Sequence, residues 1–246
     1  MAYPNFENKH LEEPLFTPHD FFKYSNRKIT NFPKKWIITW QNSVVEHLQK
    51  KHKLRKTKKL GFQGDVFLVD GIGLIKMNGI GSPHAVTNCE EMIARGAEEL
   101  ILIGTAGGLK SEGIFICEKS IRDEGTSSHY EAHSKYSYPD KELTEKIKEI
   151  LDKSKIPFEL GISWTIDAPY RETKKEVAHY KKEGVATVEM ESSALFALGK
   201  FRKVKFAAIF AVSDVLGEEK WEPKFDAKHV KENLNKAVNA ILDSKW

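Results

Sequence analysis

The chain has 246 residues, a formal net charge of +4 and two cysteines. This length suits one large α/β domain, and no low-complexity tract or linker divides it. Cys89 and Cys117 lack Cys-x-x-Cys spacing, which argues against a disulfide framework or a zinc ribbon. No apolar run approaches the roughly 20 residues of a membrane span, and the first residues do not resemble a secretory signal. We therefore expect a cytoplasmic protein with no membrane partner.

Residues 1–34 are rich in Pro, Asn, Phe and charged residues without clear periodicity. They predict an N-terminal extension that packs on the domain or on a neighbouring subunit, and residues 35–246 predict a single domain. A first strand at 36–40 precedes a helix at 42–51. The basic block at 50–59 lacks interleaved aromatic residues, so we interpret it as a solvated helix end and turn and expect no nucleic-acid partner.

Short β segments follow at Phe62, 66–69 and 74–77, and the glycines between them predict a hairpin or meander. A helix is predicted at 83–95, with Pro83 in its first turn. The apolar run 100–103 is typical of a strand covered on both faces. Further strands are predicted at 114–121, 158–164, 186–188 and 206–212, and further helices at 140–154, 172–183, 192–201 and 227–242. This alternation predicts a three-layer α/β fold, in which helices flank a central mixed, mostly parallel, twisted sheet.

Two glycine-rich segments lie next to predicted strands. Residues 104–108 (GTAGG) directly follow the apolar run, and residues 79–83 (GIGSP) separate a strand from a helix start. Glycines let the backbone approach a ligand, and Thr105 adds a hydroxyl group. Neither segment is a dinucleotide fingerprint, because no third glycine follows at the required offset. An ordinary tight turn is the alternative, and the residues leave both interpretations open.

Carboxylates follow two apolar strands, within residues 188–193 (VEMESS) and 212–214 (VSD). Ligands of open α/β sheets bind at such strand ends. In extended chain Glu189 and Glu191 point the same way, whereas a helix that starts near Ser192 would make their roles diverge. A carboxylate can accept two hydrogen bonds at once, which suits the vicinal hydroxyls of a ribose. Asp214 follows a run so apolar that we expect a raised pKa and a role as proton donor. The alternative interpretation of Glu189 and Glu191 is a pair of acidic residues near a helix N-terminus. The alternative interpretation of Asp214 is a residue that caps the next turn.

The segment His129, Glu131 and His133 offers metal ligands at alternate positions. No second cluster completes a site, so we expect no metal. The two cysteines are interpreted as core residues.

Five segments resemble the nucleoside phosphorylase superfamily, which includes purine nucleoside phosphorylases, uridine phosphorylases and methylthioadenosine/S-adenosylhomocysteine nucleosidases. They are residues 78–83, 104–109, 120–125, 188–191 and 212–214, in the family's order and close to its spacing. The resemblance extends from about Trp36 to the C-terminus, and the combination of Glu-Met-Glu with Ser-Asp is its most specific part. It implies displacement of a base at C1′ of a nucleoside through an oxocarbenium-like state.

The resemblance also implies roles for single residues. Met190 packs against the sugar, Glu191 holds the ribose hydroxyls with Glu189 beside them, and Asp214 donates a proton to purine N7. The other residues implied in substrate binding are Gly81, Gly104, Thr105, Ala106, Tyr170 and Ser213. The short segment before Glu-Met-Glu and the presence of Asp214 favour a purine base, although residues 123–127 are closer to the uridine type.

The residues that would handle the nucleophile depart from the family. Residues 40–45 (WQNSVV) replace the phosphate-binding Gly-Asp-Pro-x-x-Arg loop, and Leu102 replaces an arginine, although Thr105 fits the hydroxyl position. The nucleosidases use a glutamate and an arginine where this chain has Ser43 or Val44, and Phe210. The usual purine-stacking aromatic falls on Pro169. Candidate replacements for the lost cations are Arg55, Arg122, Arg171 or a residue of a neighbouring subunit.

We therefore predict a pentosyltransferase that cleaves the N-glycosidic bond of purine nucleosides by phosphorolysis, with phosphate as co-substrate and no cofactor. The resemblance implies a homo-oligomer, either a dimer or a hexamer built from dimers. In such an assembly His10 or His19 of the N-terminal segment could reach a partner's ribose. Phosphate-independent hydrolysis, uridine-phosphorylase-type specificity and nucleoside binding without turnover remain as alternatives.

Overall fold

The structure is a computed structural model that describes residues 4–26, 32–57, 64–217 and 220–246. The predicted β segment at Phe62 and the end of the basic block, Lys58 and Lys59, lie outside these residues. The strands are β1 (Lys35–Thr39), β2 (Arg55–Lys56), β3 (Gly64–Val69), β4 (Ile72–Met77), β5 (Glu99–Gly108), β6 (Ile114–Asp123), β7 (Tyr136–Ser137), β8 (Glu159–Ile166), β9 (Val185–Glu189), β10 (Lys205–Leu216) and β11 (Trp221–Pro223). The helices are α1 (Pro18–Tyr24), α2 (Asn42–Lys51), α3 (Ser82–Ile93), α4 (Lys141–Lys153), α5 (Lys174–Lys182), α6 (Ser192–Arg202) and α7 (Lys228–Ser244).

The strands of the described chain form one 11-stranded mixed sheet, in the order β11-β10-β6-β8-β9-β5-β1-β4-β3-β2 with β7 beside β6. Strands β4, β1, β5 and β10 are parallel neighbours, and β6, β8 and β9 form a second parallel set. Strand β10 pairs with β5 as well as with β6. This extra pairing closes β5, β9, β8, β6 and β10 into a ring.

Helices cover both faces of the sheet. On one face Ile37 and Ile101 belong to a core that includes apolar residues of α2, α4 and α7. On the other face Trp36 and Leu100 pack in a core with residues of α3 and α6. Burial from both sides explains the continuous apolar run Leu100–Ile103. The predicted three-layer α/β fold is confirmed, and among the described residues no helix is both long and apolar enough to cross a bilayer.

Two predicted strand ends were wrong for one physical reason. We expected residues 104–108 to form a loop, but β5 continues to Gly108. Similarly, β10 continues beyond Val212, through Ser213 and Asp214, to Leu216. Each extension provides the hydrogen-bonding partner of the other, with a local register shift between Val212 and Asp214. The predicted site residues on these two segments therefore lie within strands and not in loops.

The N-terminal segment contains a helix that its lack of apolar periodicity did not predict. Helix α1 begins with a capping box between Thr17 and Asp20 and has Pro18 in its first turn. Its Phe22 is buried, and the guanidinium carbon of Arg95 lies 4.3 Å from the centroid of the Phe22 ring. Within one chain this segment therefore packs on the rest of the protein. The domain division after residue 34 remains a prediction.

Candidate functional site

The predicted site residues adjoin the carboxyl-terminal half of β5. Gly107 of β5 pairs with Asp214 of β10 on one side and with Val188 of β9 on the other. Loops that follow β1 and β4 reach the same region through hydrogen bonds described below. The carboxyl ends of β1, β4, β5 and β10 thus meet at one edge of the sheet, which is where α/β sheets bind ligands.

Gly107 allows its neighbours to approach the strand closely. A Cβ atom at this position would lie 2.6 Å from Leu216 Cδ1, 3.0 Å from Val188 Cγ1 and 3.2 Å from Asp214 Oδ2. At Gly104 a Cβ would meet, among the residues that the structure describes, only Leu102 Cδ2, at an ordinary contact distance of 3.5 Å. The glycine-rich segment therefore serves packing at Gly107, where it brings the Asp214 carboxylate against the backbone of β5.

Glu189 is buried, and the chain itself satisfies its carboxylate. Oε1 accepts hydrogen bonds from the hydroxyl groups of Thr165 (2.6 Å), Ser192 (2.6 Å) and Ser163 (3.1 Å). Oε2 accepts from the backbone N–H groups of Glu191 (2.9 Å) and Ser192 (2.7 Å). Burial raises the pKa of Glu189, and the donors oppose this shift. These contacts anchor the N-terminus of α6 to β8, so the structure gives Glu189 a structural use.

Glu191 contacts a different segment, so the two glutamates do not point the same way, as expected for a helix that starts at Ser192. It occupies the N-cap position of α6 without a side-chain capping bond. Its Oε1 atom accepts a hydrogen bond of 2.6 Å from the backbone N–H of Gly81, in the loop after β4. Glu191 is 8% exposed. Burial, followed by the charge of Glu189, raises the pKa of Glu191 to about 8.

Gly81 and Met190 complete this contact between the two loops. Gly81 has φ +90°, a backbone conformation that disfavours any residue with a side chain. The hydroxyl of Ser82 donates to the Met190 carbonyl at 2.8 Å. The loop after β4 and the segment Met190–Glu191 are therefore linked by two hydrogen bonds across 108 and 110 residues of sequence.

Thr105 lies on β5 and contacts a residue that the motifs did not indicate. The side-chain amide of Gln41 donates to Thr105 Oγ1 at 2.9 Å. Gln41 precedes α2, so this contact joins the N-terminus of that helix to β5. The sequence signal for Gln41 is its place in residues 40–45, the segment that replaces the phosphate-binding loop of the related enzymes. Between Thr105 and Gly107 on the same strand, Ala106 is buried.

Asp214 is 7% exposed, and both its oxygens accept hydrogen bonds. The hydroxyl of Ser213 donates to Oδ1 at 2.8 Å, and the indole N–H of Trp221 donates to Oδ2 at 2.7 Å. Trp221 reaches Asp214 because β11 folds back along the end of β10. We had not predicted a role for Trp221, since nothing in the sequence marks this short strand.

Several other candidates do not join the group. Tyr170 is fully exposed, in the 3₁₀ turn Pro169–Arg171, so no other part of the described chain covers it. Arg122 is engaged locally, since its guanidinium donates to Ser127 Oγ, to Ser134 Oγ and to two backbone carbonyls. Arg55 and Arg171 are exposed. Among the described residues there is no group of His, Cys, Asp and Glu that could hold a metal ion.

Two cavities lie away from the β5 edge. One, of about 440 Å³, is lined by residues of α4 and α7 together with Trp246. The other, of about 520 Å³, lies near the first residues of β10 and the end of α6. Neither is lined by a predicted site residue.

Comparison with known proteins decides the family. Residues 66–243 match the sequence profile described as the Phosphorylase superfamily. The chain belongs to the phosphorylase superfamily. The resemblance that the glycine-rich, Glu-Met-Glu and Ser-Asp segments indicated is confirmed.

Members of the superfamily with curated names are similar to this chain over most of its length. A purine nucleoside phosphorylase of Plasmodium vivax is 31% identical over 176 residues, which cover 68% of this chain and 71% of the relative. A uridine phosphorylase of Treponema pallidum is 27% identical over 185 residues, which cover 69% and 71%. The crystal structure of a Toxoplasma gondii purine nucleoside phosphorylase in complex with immucillin-H has a TM-score of 0.77 at 20% identity, covering 89% of this chain and 93% of that one. This last similarity supports the fold alone.

We predict that Gly107→Ala destabilises the protein by about 1–3 kcal/mol, because its methyl group would overlap Leu216 and Val188. Gly104→Ala is the matched control on the same strand and is expected to change the free energy of unfolding by less than about 0.5 kcal/mol. Urea denaturation of the two variants measures both values. Equal effects would show that Gly107 is not packed as described.

We also predict a pH-dependent effect of Glu191→Gln on stability. The raised pKa means that folded Glu191 keeps its proton up to about pH 8, whereas the unfolded chain releases it near the ordinary glutamate pKa of 4.5. Stability from this group is therefore present at low pH and is lost as pH rises through this window. Between about pH 5 and pH 9 the Tm of Glu191→Gln should fall less than the Tm of the wild type. The control variant Glu149→Gln, at an exposed position on α4, should behave as wild type. Parallel Tm curves for all three proteins would contradict the prediction.

Proposed function

We propose that this protein cleaves the N-glycosidic bond of purine nucleosides by phosphorolysis, releasing the free base and ribose 1-phosphate. The observation that carries the proposal is the buried Glu191 carboxyl group, which the Gly81 N–H holds at the sheet edge that Thr105 and Asp214 share. A buried carboxyl group is costly to the folded state unless hydrogen bonds satisfy it, and the Gly81 N–H is the backbone donor that Oε1 of Glu191 receives. The free acceptor sites of the Glu191 carboxyl group suit the hydroxyl groups of the vicinal diol of ribose.

In this proposal Glu191 binds the ribose hydroxyls, Met190 packs against the sugar, and Gly81, Gly104 and Ala106 form the surrounding backbone. Asp214, supported by Ser213, faces the base and delivers a proton to N7. An oxygen of phosphate bonds to C1′ as the C1′–N9 bond breaks. Protonation of the leaving base by a positioned acid contributes roughly 10²–10⁴ in rate. Tyr170 would contribute only in an assembled state, since it is exposed in the single chain.

The proposed phosphate site uses neutral donors. Thr105 offers its hydroxyl group, Gln41 offers its amide, and α2 begins immediately after Gln41. Helix N-termini attract anions through their free N–H groups and the helix dipole. This arrangement supports phosphate binding although the arginines of the related enzymes are replaced. The phosphorylase names of the curated relatives support phosphorolysis over hydrolysis.

The proposal predicts that inosine, guanosine or adenosine releases free base with an equal amount of ribose 1-phosphate, and only when phosphate is supplied. Glu191→Gln should lower kcat/KM by at least about 100-fold, as expected for a group that binds the reacting sugar. Glu149→Gln is the control. Chromatography of the products with and without phosphate makes the measurement.

Other outcomes of that assay select the alternatives. Base release that is indifferent to phosphate indicates hydrolysis, and a preference for uridine indicates the specificity named for the Treponema relative. Nucleoside binding in calorimetry without any base release indicates a binding protein. Each of these results would replace the proposal.

We further propose that the chain forms a homo-oligomer through its N-terminal segment. Large apolar side chains of this segment are exposed in the single chain: Phe6, Leu11, Leu15, Phe16 and Tyr24. Large apolar side chains that are exposed close together in one segment are typical of an interaction surface. Light scattering after size exclusion should give a multiple of 28.1 kDa, and removal of residues 1–17 should shift the protein toward the monomer. A monomer at high concentration would refute this proposal.

A further inference from the structure

The two oxygens of the Asp214 carboxyl group have different surroundings. Oδ2 accepts a hydrogen bond of 2.7 Å from the indole N–H of Trp221. The same atom lies against β5, because a Cβ atom at Gly107 would be 3.2 Å from it. Oδ1 has the hydroxyl group of Ser213 at 2.8 Å. Oδ2 is therefore held between a strand and an indole ring, whereas Oδ1 lies next to a hydroxyl group that can rotate.

The backbone fixes the position of the Trp221 indole. Trp221 is the first residue of β11 and pairs with Leu216 of β10 in antiparallel register. Just beyond β11, the backbone N–H of Lys224 donates to the Ser213 carbonyl at 2.9 Å. The side chain of Lys224 forms an ion pair with Glu112, in the turn between β5 and β6. The segment that carries Trp221 is therefore attached to β10 at both of its ends and to the β5–β6 turn.

Packing of the Trp221 ring does not explain its position beside Asp214. Trp221 is 58% exposed, and the ring that it contacts, Phe225, is exposed as well. The two ring centroids are 5.9 Å apart. A side chain that leaves most of its surface in solvent gains little from apolar burial. The hydrogen bond to Asp214 is therefore what distinguishes tryptophan at this position from another aromatic residue.

The two donors differ in what they require of the carboxyl group. An indole N–H donates and cannot accept, whereas a hydroxyl group does both. Trp221 therefore needs an oxygen without a proton at Oδ2, both when Asp214 is ionised and when it is protonated. Ser213 has no such requirement, because its hydroxyl group can donate to the Ala106 carbonyl, 3.4 Å away, and accept from Oδ1. A proton carried by Asp214 is consequently placed on Oδ1.

We propose that Trp221 is a positioning residue, which holds the Asp214 carboxyl group through Oδ2 and so directs the proton for the leaving base to Oδ1. This inference rests on the proposed nucleoside cleavage and adds to it the residue that orients the acid. Trp221 acts through Asp214. The terminal torsion of an aspartate is broad and two-fold, so a donor on one oxygen is needed to select one orientation. Exact placement of a catalytic group is a large part of its effect on rate.

The atoms and electrons of the proton transfer balance. The C1′–N9 bond breaks with its electron pair on the base, while an oxygen of HPO₄²⁻ forms a bond to C1′. N7 takes the proton from Oδ1 of Asp214, which becomes a carboxylate. The hydrogen bond from Trp221 is then made to a charged group and is stronger for it. The proton that phosphate loses when ribose 1-phosphate forms returns to Asp214 through solvent.

Two substrates separate a positioning role of Trp221 from a structural one. Inosine needs protonation at N7 as its base leaves, whereas 7-methylguanosine carries a methyl group and a positive charge there and needs none. Trp221→Phe keeps an aromatic ring but removes the donor. It should lower kcat/KM for inosine by about 10-fold, the effect of losing one hydrogen bond to a group that becomes charged. The same variant should change kcat/KM for 7-methylguanosine by less than about threefold.

Phe225→Leu is the matched control, because it alters the ring beside Trp221 and leaves the donor to Asp214 in place. It should retain inosine cleavage within about threefold of the wild type. An unchanged inosine rate in Trp221→Phe, an equal loss with both substrates, or an equal loss in Phe225→Leu would each overturn the inference.

A measurement without substrate tests the contact itself. In the NMR spectrum of protein labelled with nitrogen-15 tryptophan, the indole resonance that Trp221→Phe removes should shift in Asp214→Ala. A resonance that stays in place would overturn the inference and leave the proposed cleavage standing. A wild-type protein in which this resonance shifts as expected, but which cleaves neither nucleoside, would refute the proposed function, and the inference with it.

Discussion

The pairing of β5 with β10 is the constraint on which the rest of the site depends. It extends from Glu99 and Lys205 to Gly108 and Val215, and it holds Asp214 beside Gly107. Because β5 also pairs with β1 and β9, backbone hydrogen bonds set the positions of the segments that carry the other candidate residues. Sites built on such strands are more exact than sites built on loops.

Three buried carboxyl groups lie near this pairing, and they differ in the hydrogen bonds that they accept. Glu189 receives five hydrogen bonds and anchors a helix. Asp214 receives one bond on each oxygen, from groups of its own strand and the adjacent β11. Glu191 accepts the Gly81 N–H and remains poorly solvated, which raises its pKa. Fully satisfied carboxylates stabilise structure, whereas a buried one with spare acceptor capacity is suited to a polar ligand.

The sequence predicted the part of the site that has a local signal. Glu191 and Asp214 are acidic residues next to apolar strands, a pattern that marks the ligand-binding edge of an α/β sheet and that, with the glycine-rich segments, led to the family. Gln41 was marked only by its place in residues 40–45, which replace the phosphate-binding loop of the related enzymes, and Trp221 gave no signal. Their contacts join segments that are far apart in the sequence. Gln41 is 64 residues from Thr105. Trp221 reaches Asp214 only because a short strand reverses direction.

By itself the sequence determined the alternation of strands and helices, the two-sided burial of the sheet and the superfamily, since periodicity and motif order are properties of neighbouring residues. Tertiary structure alone decided where β5 and β10 end, because β5 continues only as far as β10 pairs with it and the last residue of β10, Leu216, pairs with Trp221 of β11. It also decided that Glu189 and Glu191, two residues apart, have different hydrogen-bond partners. The direction of a side chain at a strand-to-helix junction depends on donors from distant segments, here Thr165 for Glu189 and Gly81 for Glu191.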